Sequence, residues 1–144
     1  MANMIREMRP EEIETVSNIW LQGNLEAHAF IDKDYWINNL NVVREQFGKA
    51  DIYVFVENGK IQGFAGLQEN YLAGIFVQKE YRDHGVGKKL LDYLKQKYSD
   101  LSLDVYAKNI RAKKFYSQNE FVIVREDMDE STNEVEYQMF WKRG

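Results

Sequence analysis

Apolar residues along the chain recur with two rhythms, period two and period 3.6, and these set out its elements. Residues 5–8 predict a short first strand. Pro10 fits the first position of a helix, with Glu11 and Glu12 at its positive end. Ile13, Val16, Ile19 and Trp20 form that helix's buried face, Gly23 is its expected stop, and residues 24–30 read as a connector. Asp32 or Asp34 is placed to cap a second helix, whose stripe is Tyr35, Trp36, Leu40, Val43 and Phe47 and whose end is Gly48. Residues 52–56 read as a strand, Asn58-Gly59 as a type I′ hairpin turn, and residues 61–68 as the returning strand. Gly63 and Gly66 permit a bulge or a close approach there. A second turn near Glu69-Asn70 leads into an apolar strand ending at Val77, which completes an antiparallel meander.

The stretch 71–98 passes from strand to polar loop to two glycines to helix. Val86, Leu90, Leu91, Leu94 and Tyr98 lie on one face of that helix. Leu101, Leu103 and Val105 alternate as a strand, residues 110–118 form a short helix with Ala112, Phe115 and Tyr116 on one side, and residues 121–124 form another strand. Residues 126–133 read as an acidic turn before a last strand with Val135, Tyr137, Met139 and Trp141. The fold class is therefore α/β (α+β), a mixed, mostly antiparallel sheet of about seven strands flanked by about four helices in one domain spanning the chain.

Composition narrows the chemistry. The 144 residues contain no cysteine, which excludes disulfides, thiolate catalysis and Cys-type metal sites. The two histidines, His28 and His84, are too few and too far apart for a metal motif, so no metal is expected. No run approaches the ~20 apolar residues of a membrane span, and the first residues lack an apolar signal region. A cytoplasmic protein with no membrane association is the expectation. A net charge of −4 argues against nucleic acid as a partner. An unperturbed histidine titrates near neutrality, but a structural or acceptor-site role is the expectation for His28. Exposed aromatics near Trp36 or Trp141 are candidates for a dimer contact, and either a monomer or a homodimer fits.

The loop Arg82-Asp83-His84-Gly85-Val86-Gly87 opens the 86–98 helix. A helix's first turn carries unpaired N–H groups and the positive end of the dipole, and glycine lets a phosphate approach them. Arg82, Lys88 and Lys89 add positive charge. A Walker A loop is missing its hydroxyl, since Gly87-Lys88 is followed by Lys89. The three-glycine dinucleotide fingerprint is missing its third member. The pattern present is R-x-x-G-x-G, with Val77 five residues before the Arg. It resembles the acyl-CoA-binding motif of the GNAT acetyltransferase superfamily. A second block agrees: Asn109, Ala112, Phe115, Tyr116 and Phe121 match N-x-x-A-x-x-F/L-Y-x-x-x-G-F, with Glu120 standing where the family has glycine. The segment His28-x-Phe30-Ile31, followed by Tyr35-Trp36, is similar to small single-domain bacterial members.

The resemblance implies an N-acetyltransferase that moves acetyl from acetyl-CoA to a primary amine, either a small molecule or a protein lysine or N-terminus. It assigns roles by position. Backbone groups of Ile75, Phe76 and Val77 would hold the pantetheine arm and thioester. N–H groups from Asp83 through His84, Gly85, Val86 and Gly87 to Lys88, beside Arg82, would hold the pyrophosphate. Asn109 would contact the arm, and Tyr116 would protonate the sulfur. Asp104 and Glu69 are alternative general bases. Tyr71, His28 and Phe30 would line the acceptor side. A lysine amine with pKa near ~10.4 is only about 0.1% neutral near pH 7.4, a barrier of roughly 4 kcal/mol that a base must help remove. With no cysteine to form an acyl-enzyme, direct attack in a ternary complex is expected. A non-catalytic acyl-CoA-binding or sensing module is the alternative. The acidic residues of 126–136 are either a lure for a cationic acceptor or a solvated hairpin.

Overall fold

The computed structural model describes residues 4–144. The elements run β1 (Met4–Glu7), a 3-10 turn (Pro10–Glu12), α1 (Ile13–Ala27), α2 (Lys33–Asn38), α3 (Leu40–Phe47), β2 (Asp51–Glu57), β3 (Lys60–Gln68), β4 (Tyr71–Val77), α4 (Val86–Lys97), β5 (Asp100–Tyr106), α5 (Ile110–Gln118), β6 (Val122–Asp129) and β7 (Glu134–Lys142). They build a seven-stranded sheet in the order β1-β2-β3-β4-β5-β7-β6. Every pairing is antiparallel except β4 with β5. No helix among the described residues is long and apolar enough to cross a membrane.

β2 is covered on both faces, which explains why its run Ile52–Val56 is apolar at successive positions. Along β2, Ile52 and Val54 face α1 and α3, where Val16, Ile19, Val43, Phe47 and Phe64 join them. Tyr53 and Phe55 face α4 and α5, in a core with Leu90, Leu91, Leu94, Leu103, Tyr116 and Met139. Asn58 and Gly59, at φ 53° and 73°, close the β2–β3 hairpin as the I′ turn requires.

Four expectations are corrected. Gly23 does not stop α1, which continues to Ala27 and absorbs most of the expected connector. Gly23 faces the sheet: a Cβ there would lie 2.9 Å from Cδ1 of Phe76, so glycine brings the helix onto β4. The acidic segment is mostly strand. β6 begins at Val122 and pairs with β7 out to Asp129↔Glu134, leaving a turn of only a few residues. Trp36 and Trp141 are both buried, so neither offers an exposed dimer contact. The second helix also divides at Asn39, whose Nδ2 donates to the Tyr35 carbonyl at 2.6 Å, into α2 and α3. Asp32 caps α2 by accepting from the Asp34 N–H at 2.9 Å.

One irregularity creates the site. Between β3 and β4 the pairing moves from Leu67↔Leu72 to Gly66↔Gly74, so Ala73 is an extra residue on β4. A bulge bends its strand. β4 pairs with β5 only at Tyr71↔Ser102 among the described residues. Beyond the bulge the two strands run unpaired, and the sheet has a gap.

Candidate active site

A cleft of ≈ 730 Å³ lies against this gap, between the start of α4 and α5. Ile75, Phe76 and Val77 of β4 line it, as do Arg82, Asp83, Gly85, Val86, Gly87, Lys88, Asn109 and Tyr116. The gap thus brings both sequence blocks to one place.

The α4 terminus is bare. Gly85 caps it with φ 82° and no side-chain bond, and the first bond of the helix register is from the Lys89 N–H to the Gly85 carbonyl at 3.0 Å. The N–H groups of Val86, Gly87 and Lys88 therefore have no partner within the helix. A Cβ on Gly87 would sit at ordinary contact distance, 3.6 Å, from Phe115. The protein's own packing does not demand glycine there, whereas a closely approaching phosphate does. This cradle fits the diphosphate of a coenzyme A thioester.

Charges at the cleft mouth are already paired. Arg82 Nη2 lies 2.7 Å from Glu26 Oε2, and its Nε donates to the Val77 carbonyl at 3.3 Å. Arg111 Nη2 pairs with Asp83 Oδ1 at 2.9 Å, and Lys88 with Asp92 at 3.1 Å. His84 is exposed. Glu26 escaped sequence reasoning because the expected stop at Gly23 placed it outside the helix. Continuing the 3.6 period past Gly23 puts it at the loop.

Tyr116 projects from α5 into the core and is buried. Burial pushes its phenol well above the usual tyrosine range, while the backbone N–H of Ile75, bonding to its oxygen, partly opposes that shift. The phenol is thus protonated and sits at the gap. Asn109 caps α5, its Oδ1 accepting from the Ala112 N–H at 3.2 Å. Its Nδ2 lies 3.1 Å from His28 Nε2. His28 itself is buried. Burial pushes its pKa down to about 4.

The opposite face of the gap is acidic. The Tyr71 hydroxyl donates to Asp104 Oδ2 at 2.9 Å. Glu136, on neighbouring β7, has its pKa raised by burial and by the negative charges of Asp104, Asp129 and Asp127. Tyr106 donates to Asp129 at 2.6 Å. Phe30 packs edge-on to Tyr106 with ring centroids 5.9 Å apart. Glu69 lies apart, exposed in the β3–β4 turn at φ 53°. It precedes β4 by one turn and is not among the residues lining the cleft.

A sheet parted beside a bare helix terminus, with a protonated phenol at the parting, defines an acyl-CoA-dependent acyltransferase. The chain belongs to the GNAT acetyltransferase family: residues 7–138 match the family model described as the acetyltransferase (GNAT) domain. It is 36% identical over 123 residues to the peptidyl-lysine N-acetyltransferase YiaC of Escherichia coli K12, covering 84% of each chain. Its fold matches the apo solution structure of E. coli YjaB with a TM-score of 0.87 at 23% identity, over 100% of both chains. It also matches the PaiA N-acetyltransferase of Thermoplasma acidophilum, solved with coenzyme A, with a TM-score of 0.80 at 20% identity, over 99% of both. The chain is an acetyl-CoA-dependent N-acetyltransferase with an amine acceptor.

Proposed function

We propose that the acceptor is a lysine side chain of a protein or peptide, attacked directly by its amine in a ternary complex at the β4–β5 gap. The observation that carries this reading is the acidic face formed by Asp104, Asp127, Asp129 and Glu136 beside Tyr71, on the opposite side of the gap from the cleft. Negative potential there concentrates a cationic amine and favours neighbouring basic residues on the same peptide. The name of YiaC, a peptidyl-lysine N-acetyltransferase, supports the same acceptor class.

In this scheme acetyl-CoA lies in the cleft with its pyrophosphate on the Gly85–Lys88 N–H groups and Arg82. Ile75, Phe76 and Val77 hold the pantetheine arm and thioester through their backbone, and Asn109 borders it. The amine enters past Tyr71 and Phe30. Asp104, through water, takes the proton that the ammonium must lose. Glu69, exposed in the turn before β4, has no part in this scheme. The amine nitrogen bonds to the carbonyl carbon, the carbon–sulfur bond breaks, and Tyr116 gives its proton to the departing sulfur. Every group named belongs to one chain, so a monomer suffices. Dependence on acetyl-CoA as donor favours the cytoplasm in this reading.

The test is acetylation of a peptide panel, with thiol release as the readout. Lysine flanked by basic residues should be the best acceptor, ahead of free polyamines and of peptides whose only amine is the N-terminus. Salt should raise its KM. A preference for polyamines, or for N-terminal amines, would overturn the acceptor assignment.

A further inference from the structure

His28 is held on every side. Its N–H donates to the Asn24 carbonyl at 3.0 Å, and its carbonyl accepts from the Ile31 N–H at 3.0 Å. Its ring stacks on Trp36, with centroids 5.3 Å apart, and meets Tyr106 and Phe30 edge-on. Such a box would accept any flat apolar ring. What distinguishes imidazole is its bond to Asn109.

The direction of that bond follows from the helix cap. Oδ1 of Asn109 is committed to the Ala112 N–H, so the group turned toward His28 is the amide NH₂, a donor. Nε2 of His28 must therefore accept, and the ring proton must sit on Nδ1. Nδ1 is buried and has no hydrogen-bond partner. A buried unpaired N–H is destabilising, so phenylalanine would suit this box better if stability were all that mattered. The useful atom is Nε2.

We propose that His28 is a positioning residue for the acetyl-CoA cleft: by accepting from Asn109 it fixes the amide that caps α5, and with it the cleft wall that carries Tyr116. The inference rests on the reading that this cleft takes acetyl-CoA. The tie crosses the molecule. His28 ends α1, on the side where the acceptor enters, while Asn109 begins α5, on the cofactor side. Because burial keeps the imidazole neutral, the bond persists across the physiological pH range.

Four measurements on the full chain test this. In wild-type protein, long-range ¹⁵N–¹H NMR should place the His28 proton on Nδ1, and a proton on Nε2 overturns the inference without any variant. His28→Phe should raise the acetyl-CoA Kd about tenfold, while its unfolding midpoint stays level or rises. His28→Gln, whose Oε1 can accept from Asn109, should recover most of the affinity. The His28→Phe loss should also largely vanish in an Asn109→Ala background, since the two side chains act through one bond. Wild-type affinity in His28→Phe, or a loss that adds in full to that of Asn109→Ala, overturns the inference. Wild-type protein that binds no acetyl-CoA by calorimetry overturns the cleft reading and this inference together.

Discussion

The Tyr71 hydroxyl and the Asp104 carboxylate meet at 2.9 Å across the only residue pair, Tyr71↔Ser102, that joins β4 to β5 among the described residues. In the proposed scheme this bond marks the acceptor edge of the gap. Asp104 is exposed and accepts a single bond there, so it retains acceptor capacity toward a cationic amine. Asp104→Asn should raise the KM of a lysine peptide about tenfold, equivalent to about 1.4 kcal/mol, and leave the acetyl-CoA Kd unchanged. Steady-state kinetics beside calorimetry will separate the two. An unchanged peptide KM removes Asp104 from acceptor recognition.

Tyr116 yields a sharper expectation. Its phenol is pushed up by burial, so it remains protonated, and competent as an acid, well beyond neutral pH. Tyr116→Phe should lower kcat by roughly 10²-fold with acetyl-CoA binding retained. The pH–rate profile of the wild type should show no loss on the alkaline side attributable to Tyr116 below about pH 10. Any basic limb below that which survives in Tyr116→Phe belongs to another group. Full activity in the variant sinks the general-acid assignment.

Much of this was legible in the chain. The Asn58-Gly59 turn, the α4 face from Val86 to Leu94 and the alternation in β5 and β7 all depend on local chemistry, which sequence displays directly. The cleft loop was legible for the same reason, since Gly85 and the residues around it are contiguous. What was not legible depends on contacts distant in sequence. Gly23 looks like a helix stop until Phe76 is packed beneath it. The second half of β6, residues 125–129, is too polar to declare itself, because the strand lies at the sheet edge and all but one of its residues are exposed. His28 carries no signal of its buried state, which arises from Trp36, Tyr106 and Asn109 converging from three elements.

Acid stability should carry the signature of Glu12. Arg6 donates to both of its oxygens, at 2.9 and 2.7 Å, and the Arg9 N–H donates to Oε1 at 2.8 Å. The Arg6 bond is the largest influence holding the Glu12 carboxyl down at about 2. A depressed folded pKa favours the folded state above the unfolded value near ~4.3, and that contribution is lost as pH falls toward 2. Allowing for partial exposure, it amounts to about 2 kcal/mol. Glu12→Gln should lower the midpoint at pH 7 and flatten the dependence of stability on pH between 4.5 and 2. Parallel urea titrations of the two proteins through that window will show whether their curves converge at low pH. Curves that stay equally separated exclude this linkage.

Glu120 occupies the left-handed region at φ 74°, where the family pattern has glycine. A residue with a Cβ costs about 1–2 kcal/mol there. Its contact with Lys95, at 3.9 Å and with Glu120 largely exposed, offsets little of that. Glycine at this position adds about 0.5–1 kcal/mol of unfolded-chain entropy. Glu120→Gly should therefore stabilise by about 0.5–1 kcal/mol, read as a higher unfolding midpoint. A lower midpoint shows that the turn gains more from Glu120 than its backbone loses.

Gly23→Ala sets two effects against each other. Within an exposed helix alanine is favoured over glycine by about 1 kcal/mol. Here the new methyl would sit 2.9 Å from Cδ1 of Phe76. The ring's retreat is limited by Phe64, on which its face stacks with centroids 5.2 Å apart, while its opposite edge lies over the backbone of Gly74. Overpacking of this kind costs about 1–3 kcal/mol, which outweighs the helical gain. The substitution should lower stability by up to about 2 kcal/mol. Because Phe76 belongs to the strand that borders the gap, displacement of α1 or of its ring should also weaken acetyl-CoA binding. Thermal unfolding with and without acetyl-CoA reads both effects. A variant as stable as wild type would mean that α1 can lift from β4 without strain, and that glycine at this position is not what seats the helix on the sheet.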